Sequence, residues 1–345
     1  MSKKNSNVLS LENKLNKYNK FFEIYEYFSS ELKKLIKKRS FLVAVSGGSD
    51  SLALAALSYI YSKKNSVKIF FVLVDHSIRK NSSIEAKLVK KLLKKEKITL
   101  VILKNKKKIS KNIQKLARDA RYELLGDYCK KKKVKYILTG HHSDDQIETF
   151  LIRLSRGSGV QGLSSMRKIT KLTNNTRLVR PLLNQKKQDL INLAKISFGK
   201  IFKDPSNENQ KYLRTRVRNL KKELEKSGLH HDQIIRSINN LASTTDTLNK
   251  YTKKLSDICV EKKKKKTLIN LKILFLENDE IQLKILSNNI KNLSKSYYPP
   301  RSIKVLSLLK KIRFSKKYKA TLGGCILEKQ DNYLLIKKEA KLLNN

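Results

Sequence analysis

Two rhythms of apolar residues alternate along the first half of the chain. Unbroken apolar runs occur at FLVAV (41–45), IFFVLV (69–74), ITLVIL (98–103) and within VKYILTG (134–140). Between them lie segments with apolar spacing near 3.6: SLALAALSYIYS after the first run, then 83–96, 111–131 and 144–155. Runs without in–out alternation fit strands buried on both faces, and the intervening helices supply the cover. The pattern predicts an α/β fold, a doubly wound parallel sheet of Rossmann-like type, over about residues 39–165. FFEIYEYFSSELKKLIKK, inside residues 1–38, has helical spacing and reads as an N-terminal helical extension. Beyond residue 165 the rhythm changes. MRKITKL and RLVRPLL flank Asn174-Asn175 as a hairpin, and DLINLAKISF, YLRTRVRNLKKELEKSG and residues 231–261 read as helices. TLINLKILFL is strand-like, and ATLGGCILEKQDNYLLIKKE reads as a small terminal hairpin. The predicted organisation is an extension (1–38), an α/β domain (39–220) and a mainly helical C-terminal region (221–345).

Charge then narrows the partners. Lys plus Arg number 78 against 29 Asp plus Glu, a formal charge of +49. Such an excess invites a polyanion. Only 15 of the basic residues are Arg, leaving 63 Lys, and Asn and Ile are also frequent. A bias toward AT-rich codons would produce the same lysines on any solvated surface. The arginines resist that bias, and seven of them fall in three windows: Arg118 and Arg121, Arg153 and Arg156, and Arg214, Arg216 and Arg218. Their planar guanidinium groups hold phosphate in a bidentate way that Lys cannot copy. The run Lys262 to Lys266 reads instead as a solvated turn. Cys129, Cys259 and Cys325 are an odd, widely spaced set, as expected of free thiols in a reducing compartment. Apolar runs such as Ile69–Val74 are far shorter than the ~18–20 residues of a membrane span. The N-terminus lacks an apolar signal region. The expected location is cytoplasmic, with no membrane partner.

The sharpest local chemistry follows the first strand. FLVAV runs into Ser46-Gly47-Gly48-Ser49-Asp50-Ser51, and a helix begins there. Two glycines permit a tight turn whose amides approach an anion closely, and the helix N-terminus adds unpaired donors. The serines add hydroxyls. This is a pyrophosphate cradle, but no Gly-Lys-Ser/Thr follows, so it is not a Walker A loop. Asp50 is unexpected beside an anion unless it holds Mg²⁺ or caps the helix. Gly157 to Gly162 also matches GxGxxG, but a helix precedes it where the dinucleotide fingerprint needs a strand.

A second cluster, TGHHSDDQIETFLIRLSRGSGVQGLSSM (139–166), leaves the fourth strand at the same carboxyl edge of the sheet. Asp145 and Glu148, three apart, share a helical face. Carboxylates at a helix start also have a plainer explanation in capping and dipole complementation. His76, His141 and His142 lack the companion spacing of a zinc site, and His230-His231 reads as a solvated helix start.

SGGSDS in this setting resembles the PP-loop of the N-type ATP pyrophosphatases. The second cluster resembles the signature of the tRNA(Ile)-lysidine synthetases. VDHSIRKNS (74–82), LARDARYELL (116–125), VRPLL (179–183), DPSNENQKYLRTRVRNLKKEL (204–224) and TLGGCILEK (321–329) extend the likeness over about residues 39–340. Thr215 departs from it, since the family pattern reads Arg-Asn there. The resemblance implies adenylation of the wobble cytidine of tRNA(Ile) with a CAU anticodon, then attack by free L-lysine at C2, with AMP and pyrophosphate released. It assigns ATP to Ser46, Gly47, Gly48, Ser49, Asp50, Ser51 and His141, and Mg²⁺ to Asp50. Catalysis falls to Asp50, Asp145 and Glu148, with lysine held by Asp145 and Glu148. Arg118, Arg121, Arg216 and Arg218 are the expected tRNA or phosphate contacts, the region 221–345 the expected tRNA-binding part, and a homodimer is compatible with all of it. Two other readings compete: a tRNA thiolation enzyme on the same fold, which would deliver sulfur from cysteines, and a non-catalytic basic RNA-binding protein.

Overall fold

The computed structural model of the chain describes residues 10–78, 81–105, 113–172, 175–202, 209–263, 266–296 and 299–339. Helices α1 (Leu11–Asn16) and α2 (Asn19–Ile36) precede β1 (Phe41–Val45). Then follow α3 (Ser49–Asn65), β2 (Ile69–Asp75), α4 (Ser82–Lys95), β3 (Leu100–Lys104), α5 (Ile113–Lys131), β4 (Tyr136–Leu138) and α6 (Ser143–Leu154). The short α7 (Val160–Leu163), β5 (Ile169–Lys171), β6 (Arg177–Val179), α8 (Lys187–Phe198), α9 (Leu213–Asn219), α10 (Lys221–Lys226) and the long α11 (His231–Cys259) come next. The chain divides into two compact units between Asn240 and Leu241.

In the first unit the strands form one six-stranded sheet in the order β3-β2-β1-β4-β6-β5. All neighbours are parallel except β5, which runs antiparallel to β6. Period-two alternation sends successive β1 side chains to opposite faces. Phe41, Val43 and Val45 join one core with α3 and α8, while Leu42 joins another with Val72, Leu125, Cys129 and Ile137. Helix α3 shows why its sequence lacks an amphipathic stripe: Leu52 to Leu57 are fully buried all round. Phe28, Leu32 and Ile36 of α2 enter the same core, and the Phe28 ring meets Tyr61 edge-on at 6.1 Å. Residues 11–36 thus share the core of the sheet they precede. Strand order reverses at β1, with β2 on one side and β4 on the other. Ligands of open α/β sheets bind in the crevice that opens at the carboxyl ends of such a pair.

The second unit adds β7 (Val260–Lys263), β8 (Lys266–Asn270), α12 (Leu271–Leu274), α13 (Asp279–Ser294), α14 (Ser302–Phe314), β9 (Tyr318–Leu322), β10 (Cys325–Gln330) and β11 (Tyr333–Lys338). The expected terminal hairpin is part of a five-stranded antiparallel sheet, β7-β8-β11-β10-β9. TLINLKILFL turns out to be half strand: β8 stops at Asn270, whose side chain caps α12 by accepting from the Lys272 and Ile273 amides. Within the lysine run, Lys262 and Lys263 belong to β7 and Lys266 to β8, while 264–265 lie outside the described residues, as do Asn174 and 203–208. The predicted helix over 212–228 is broken at Leu220, which ends α9 and starts α10. Among the described residues no helix is long and apolar enough to cross a membrane.

Candidate active site

The loop after β1 is shaped by its own residues. Gly47 has φ +88°, and a Cβ there would lie 2.6 Å from Val89 Cγ2, so both backbone and space demand glycine. Ser51 works from inside: its Oγ accepts from the amides of Ser46 (3.0 Å) and Gly47 (3.2 Å) and donates to the Gly48 carbonyl (3.0 Å). Ser51 therefore fixes the loop. The donors left available at this loop are the amides of the first turn of α3, at Ser49 and Asp50, which have no intrahelical acceptor.

The turn after β4 closes against this loop. A Cβ on Gly140 would stand 2.6 Å from the Asp50 carbonyl oxygen. His142 follows, with 1% of its surface exposed. Its Nε2 lies 3.6 Å from Asp50 Oδ2 and 3.5 Å from Asp145 Oδ2, and its Nδ1 lies 3.8 Å from Asp144 Oδ2. Burial would lower its pKa, but the bond to Asp50 and the surrounding carboxylates outweigh that and raise it. Burial likewise pushes Asp50 up, and His142 and Ser49 more than reverse it, leaving the carboxyl below its ordinary value. The buried His142 ring thus ties Asp50 to the start of α6, where the His142 amide donates to Asp145 Oδ2 at 3.1 Å. His141 has the opposite fate. Burial, together with Arg180, Arg118 and Arg214, brings its pKa down to about 3, so it is neutral at pH 7, with Nδ1 2.8 Å from Thr139 Oγ1.

The helix carboxylates are met by α9. Glu148, only 5% exposed, accepts from Arg214 Nε at 2.6 Å and Arg218 Nε at 2.7 Å. Arg214 also donates to Asp145 Oδ1 at 3.0 Å. Arg214 joins the site through pairings 66 and 69 positions away in sequence. Asp144 accepts from Lys221 Nζ at 2.8 Å and the Lys187 amide at 3.1 Å. Against the upward push of burial, these partners bring Asp144 down to about 2, and the arginines similarly lower Glu148. Carboxylates depressed in this way stabilise the fold above their unfolded pKa of ~4, and that contribution is lost as pH falls through the folded value. The melting temperature of the first unit is expected to drop as pH falls from about 4 toward 2. Melting curves across that range check it, and Lys221→Gln should shrink the acid-side loss.

A cavity of about 240 Å³ opens where the two loops meet, lined by Ser46, Asp50, Ser51, Thr139, Gly140, His141, Asp145 and Arg214 together with Arg118, Arg121 and Tyr122 of α5. Arg118 stacks over the Tyr122 ring at 5.0 Å, and Arg121 Nε donates toward His76 Nε2 at 3.4 Å. Of the expected arginines, Arg118 and Arg121 reach this cavity, Arg218 is held by Glu148, and Arg216 is exposed on α9. A second cavity of about 380 Å³ borders Asp144, Glu148, Arg218 and Lys221, with Ile147, Leu151, Ile191 and Val217 in its wall. His231 is not the solvated residue expected: it lies 3.1 Å from Ser143 Oγ at the start of α6. All three cysteines are buried, and burial takes the Cys129 thiol up to about 12. Among the described residues, no three His, Cys, Asp or Glu side chains gather as a metal cluster.

Residues 19–224 match the PP-loop domain. The chain is 35% identical over 306 residues to the tRNA(Ile)-lysidine synthase of Wolbachia pipientis wMel, covering 87% of this chain and 71% of that one. It belongs to the tRNA(Ile)-lysidine synthase family. Another synthase, from Rickettsia bellii, is 33% identical over 92% of this chain and 74% of its own, and that of Orientia tsutsugamushi 36% over 86% and 69%. Among solved structures, the U34-tRNA thiolase NcsA from Methanococcus maripaludis superposes with a TM-score of 0.52 at 19% identity, over 64% of this chain and 80% of that one. That likeness supports the α/β fold. The lysidine synthase relationship agrees with the motif resemblance.

Proposed function

We propose that this chain is an ATP-dependent ligase that joins L-lysine to C2 of the wobble cytidine of tRNA(Ile) with a CAU anticodon, releasing AMP and pyrophosphate. The observation that carries this reading is the meeting of the PP-loop with a carboxylate-rich helix start at one edge of the sheet. The cytosine O2 attacks the α-phosphate of ATP, an O–P bond forms, and the bond to the β-phosphate oxygen breaks. First-turn amides of α3 stabilise the departing pyrophosphate charge, with Arg118 and Arg121 close by. Neutral His141 offers a hydrogen-bonding ring to the nucleotide without added charge.

Asp50 suits Mg²⁺, because this ion needs only one or two carboxylates beside phosphate oxygens and water. The Asp50 side chain is 33% exposed at the cavity wall, so one edge is accessible. When bound, the ion would neutralise phosphate charge.

Lysine enters as an ammonium of pKa ~10.4 and must lose a proton before attack. Asp145, at the cavity wall, is the candidate to hold the ammonium and accept that proton, with Glu148 beside it. The amine then attacks C2, the C2–O bond breaks and AMP leaves. Aliphatic walls of the neighbouring 380 Å³ cavity offer a surface for the lysine stem. Arg216, exposed on α9, and the second unit are proposed to contact tRNA.

Buried cysteines disfavour sulfur delivery, which needs an accessible thiolate. The test is pyrophosphate release with ATP, tRNA(Ile) and lysine. Omitting tRNA should abolish release, and omitting lysine should limit it to about one turnover. Release indifferent to both would overturn the assignment, and turnover with a sulfur donor replacing lysine would favour thiolation.

A further inference from the structure

We propose that the opposite, amino-terminal edge of the sheet carries a second phosphate-binding site, which holds the backbone of the RNA substrate away from the reacting base. This rests on the tRNA-ligase reading above. A cavity of about 290 Å³ lies there, lined by Arg39, Lys135, Tyr136, Lys171, Asn175 and Arg177. Sheet register assembles it. Tyr136 of β4 pairs with Arg177, the first residue of β6, and Arg177 pairs with Lys171, the last residue of antiparallel β5. The Arg177 amide donates to the Lys135 carbonyl at 2.8 Å, which locks the two strand entries together. Arg39 arrives two residues before β1 and donates from NH1 to the Tyr136 hydroxyl at 3.1 Å. Tyr136 is buried, with 6% exposure, so its hydroxyl is a fixed post that orients the guanidinium.

Four cations therefore converge on one concavity whose lining contains no carboxylate. Among the described residues none of the four is in an ion pair, although elsewhere in the chain Lys14, Lys168, Lys221 and Arg214 each find an acid. Like charges gathered without counter-charge repel, and an arriving phosphate relieves that repulsion. Codon bias explains scattered lysines, but it does not explain two arginines here out of 15 in the chain, one of them oriented by a buried hydroxyl. Tyr136, the aromatic in the lining, is 6% exposed and engages Arg39 through its hydroxyl, so the cavity offers charge more than a stacking surface, as suits a backbone phosphate. The five residues of β1 set the two edges ~17 Å apart, a distance an RNA stem spans.

The test is direct tRNA binding by the full chain across 50–200 mM salt, with ATP affinity and melting temperature measured in parallel. Arg39→Gln/Arg177→Gln and, separately, Lys135→Gln/Lys171→Gln are compared with Lys90→Gln/Lys91→Gln, an exposed pair on α4 with the same loss of charge. Each pocket pair should weaken tRNA binding about 10-fold and flatten the log–log salt slope by roughly 1–2, with ATP affinity unchanged. The control pair should change the slope by less than half as much. Equal losses from pocket and control would overturn the site and assign the effect to diffuse charge. Wild-type protein that binds no tRNA would instead overturn the functional reading on which the proposal rests.

Discussion

Gly140→Ala is expected to slow pyrophosphate release by on the order of 100-fold while leaving the chain folded. The added Cβ would stand 2.6 Å from the Asp50 carbonyl oxygen, 2.7 Å from its carbon and 3.1 Å from the Ser51 nitrogen. All three are backbone atoms at the start of α3, so no side-chain rotation can relieve the contact. Either the turn after β4 or the PP-loop must move, and the loop carries both Asp50 and the first-turn amides. A displacement of around 1 Å in a positioning element costs about 10² in rate. Overpacking of this kind costs stability too, about 1–3 kcal/mol. Single-turnover release and thermal melting separate the two effects. Gly126→Ala is the control: it lies inside α5 with nothing within 4 Å of the added methyl, so helix propensity alone should leave it neutral or slightly stabilising. A Gly140→Ala enzyme with the wild-type rate would remove the β1–β4 crevice from the chemistry.

That prediction could not have been made from the sequence, and the reason is physical. Gly140 is glycine because of a backbone 90 residues earlier, and nothing in TGHH carries that contact. The elements themselves were easier. FLVAV is strand β1 residue for residue, because a buried parallel strand leaves an unbroken apolar run. SGGSDS was legible as a tight turn between a strand and a helix, because two adjacent glycines there signal backbone that other residues cannot adopt. His142 was legible only as a residue before a helix; the three carboxylates around it come from two separate segments. The pairing of Glu148 with Arg214 and Arg218 was hidden likewise, because an arginine reaching for phosphate and one reaching for a carboxylate look alike in one sequence. Strand β7, VEKK, has three exposed polar residues and no alternation, so this outer strand of the terminal sheet left no hydrophobic signal, whereas its neighbour β8 did.

Those arginines make the two candidate carboxylates unequal, and paired variants should expose the difference. Asp145 faces the 240 Å³ cavity and gives one oxygen to Arg214, whereas Glu148 is sunk beneath both Arg214 and Arg218. Asp145→Asn keeps the shape and removes the charge offered to the ammonium. Loss of one charge-assisted contact of about 1.5–3 kcal/mol corresponds to a roughly 10- to 100-fold rise in KM for lysine. The KM for ATP should move far less, and adenylated tRNA should accumulate because the second step is the one impaired. Glu148→Gln removes the charge and replaces one of the two buried acceptor oxygens, which take Arg214 and Arg218 separately, with a donor. Its expected signature is a stability loss of about 1–3 kcal/mol, together with a lysine defect that arises because Arg214 keeps only a weakened anchor beside its bond to Asp145. Steady-state kinetics in both substrates, melting curves and a gel assay for adenylated tRNA distinguish the cases. If Asp145→Asn leaves lysine kinetics intact and Glu148→Gln loses stability alone, both carboxylates are helix-start and ion-pair residues. The ammonium would then have to be sought in the cavity lined by Asp144 and Lys221.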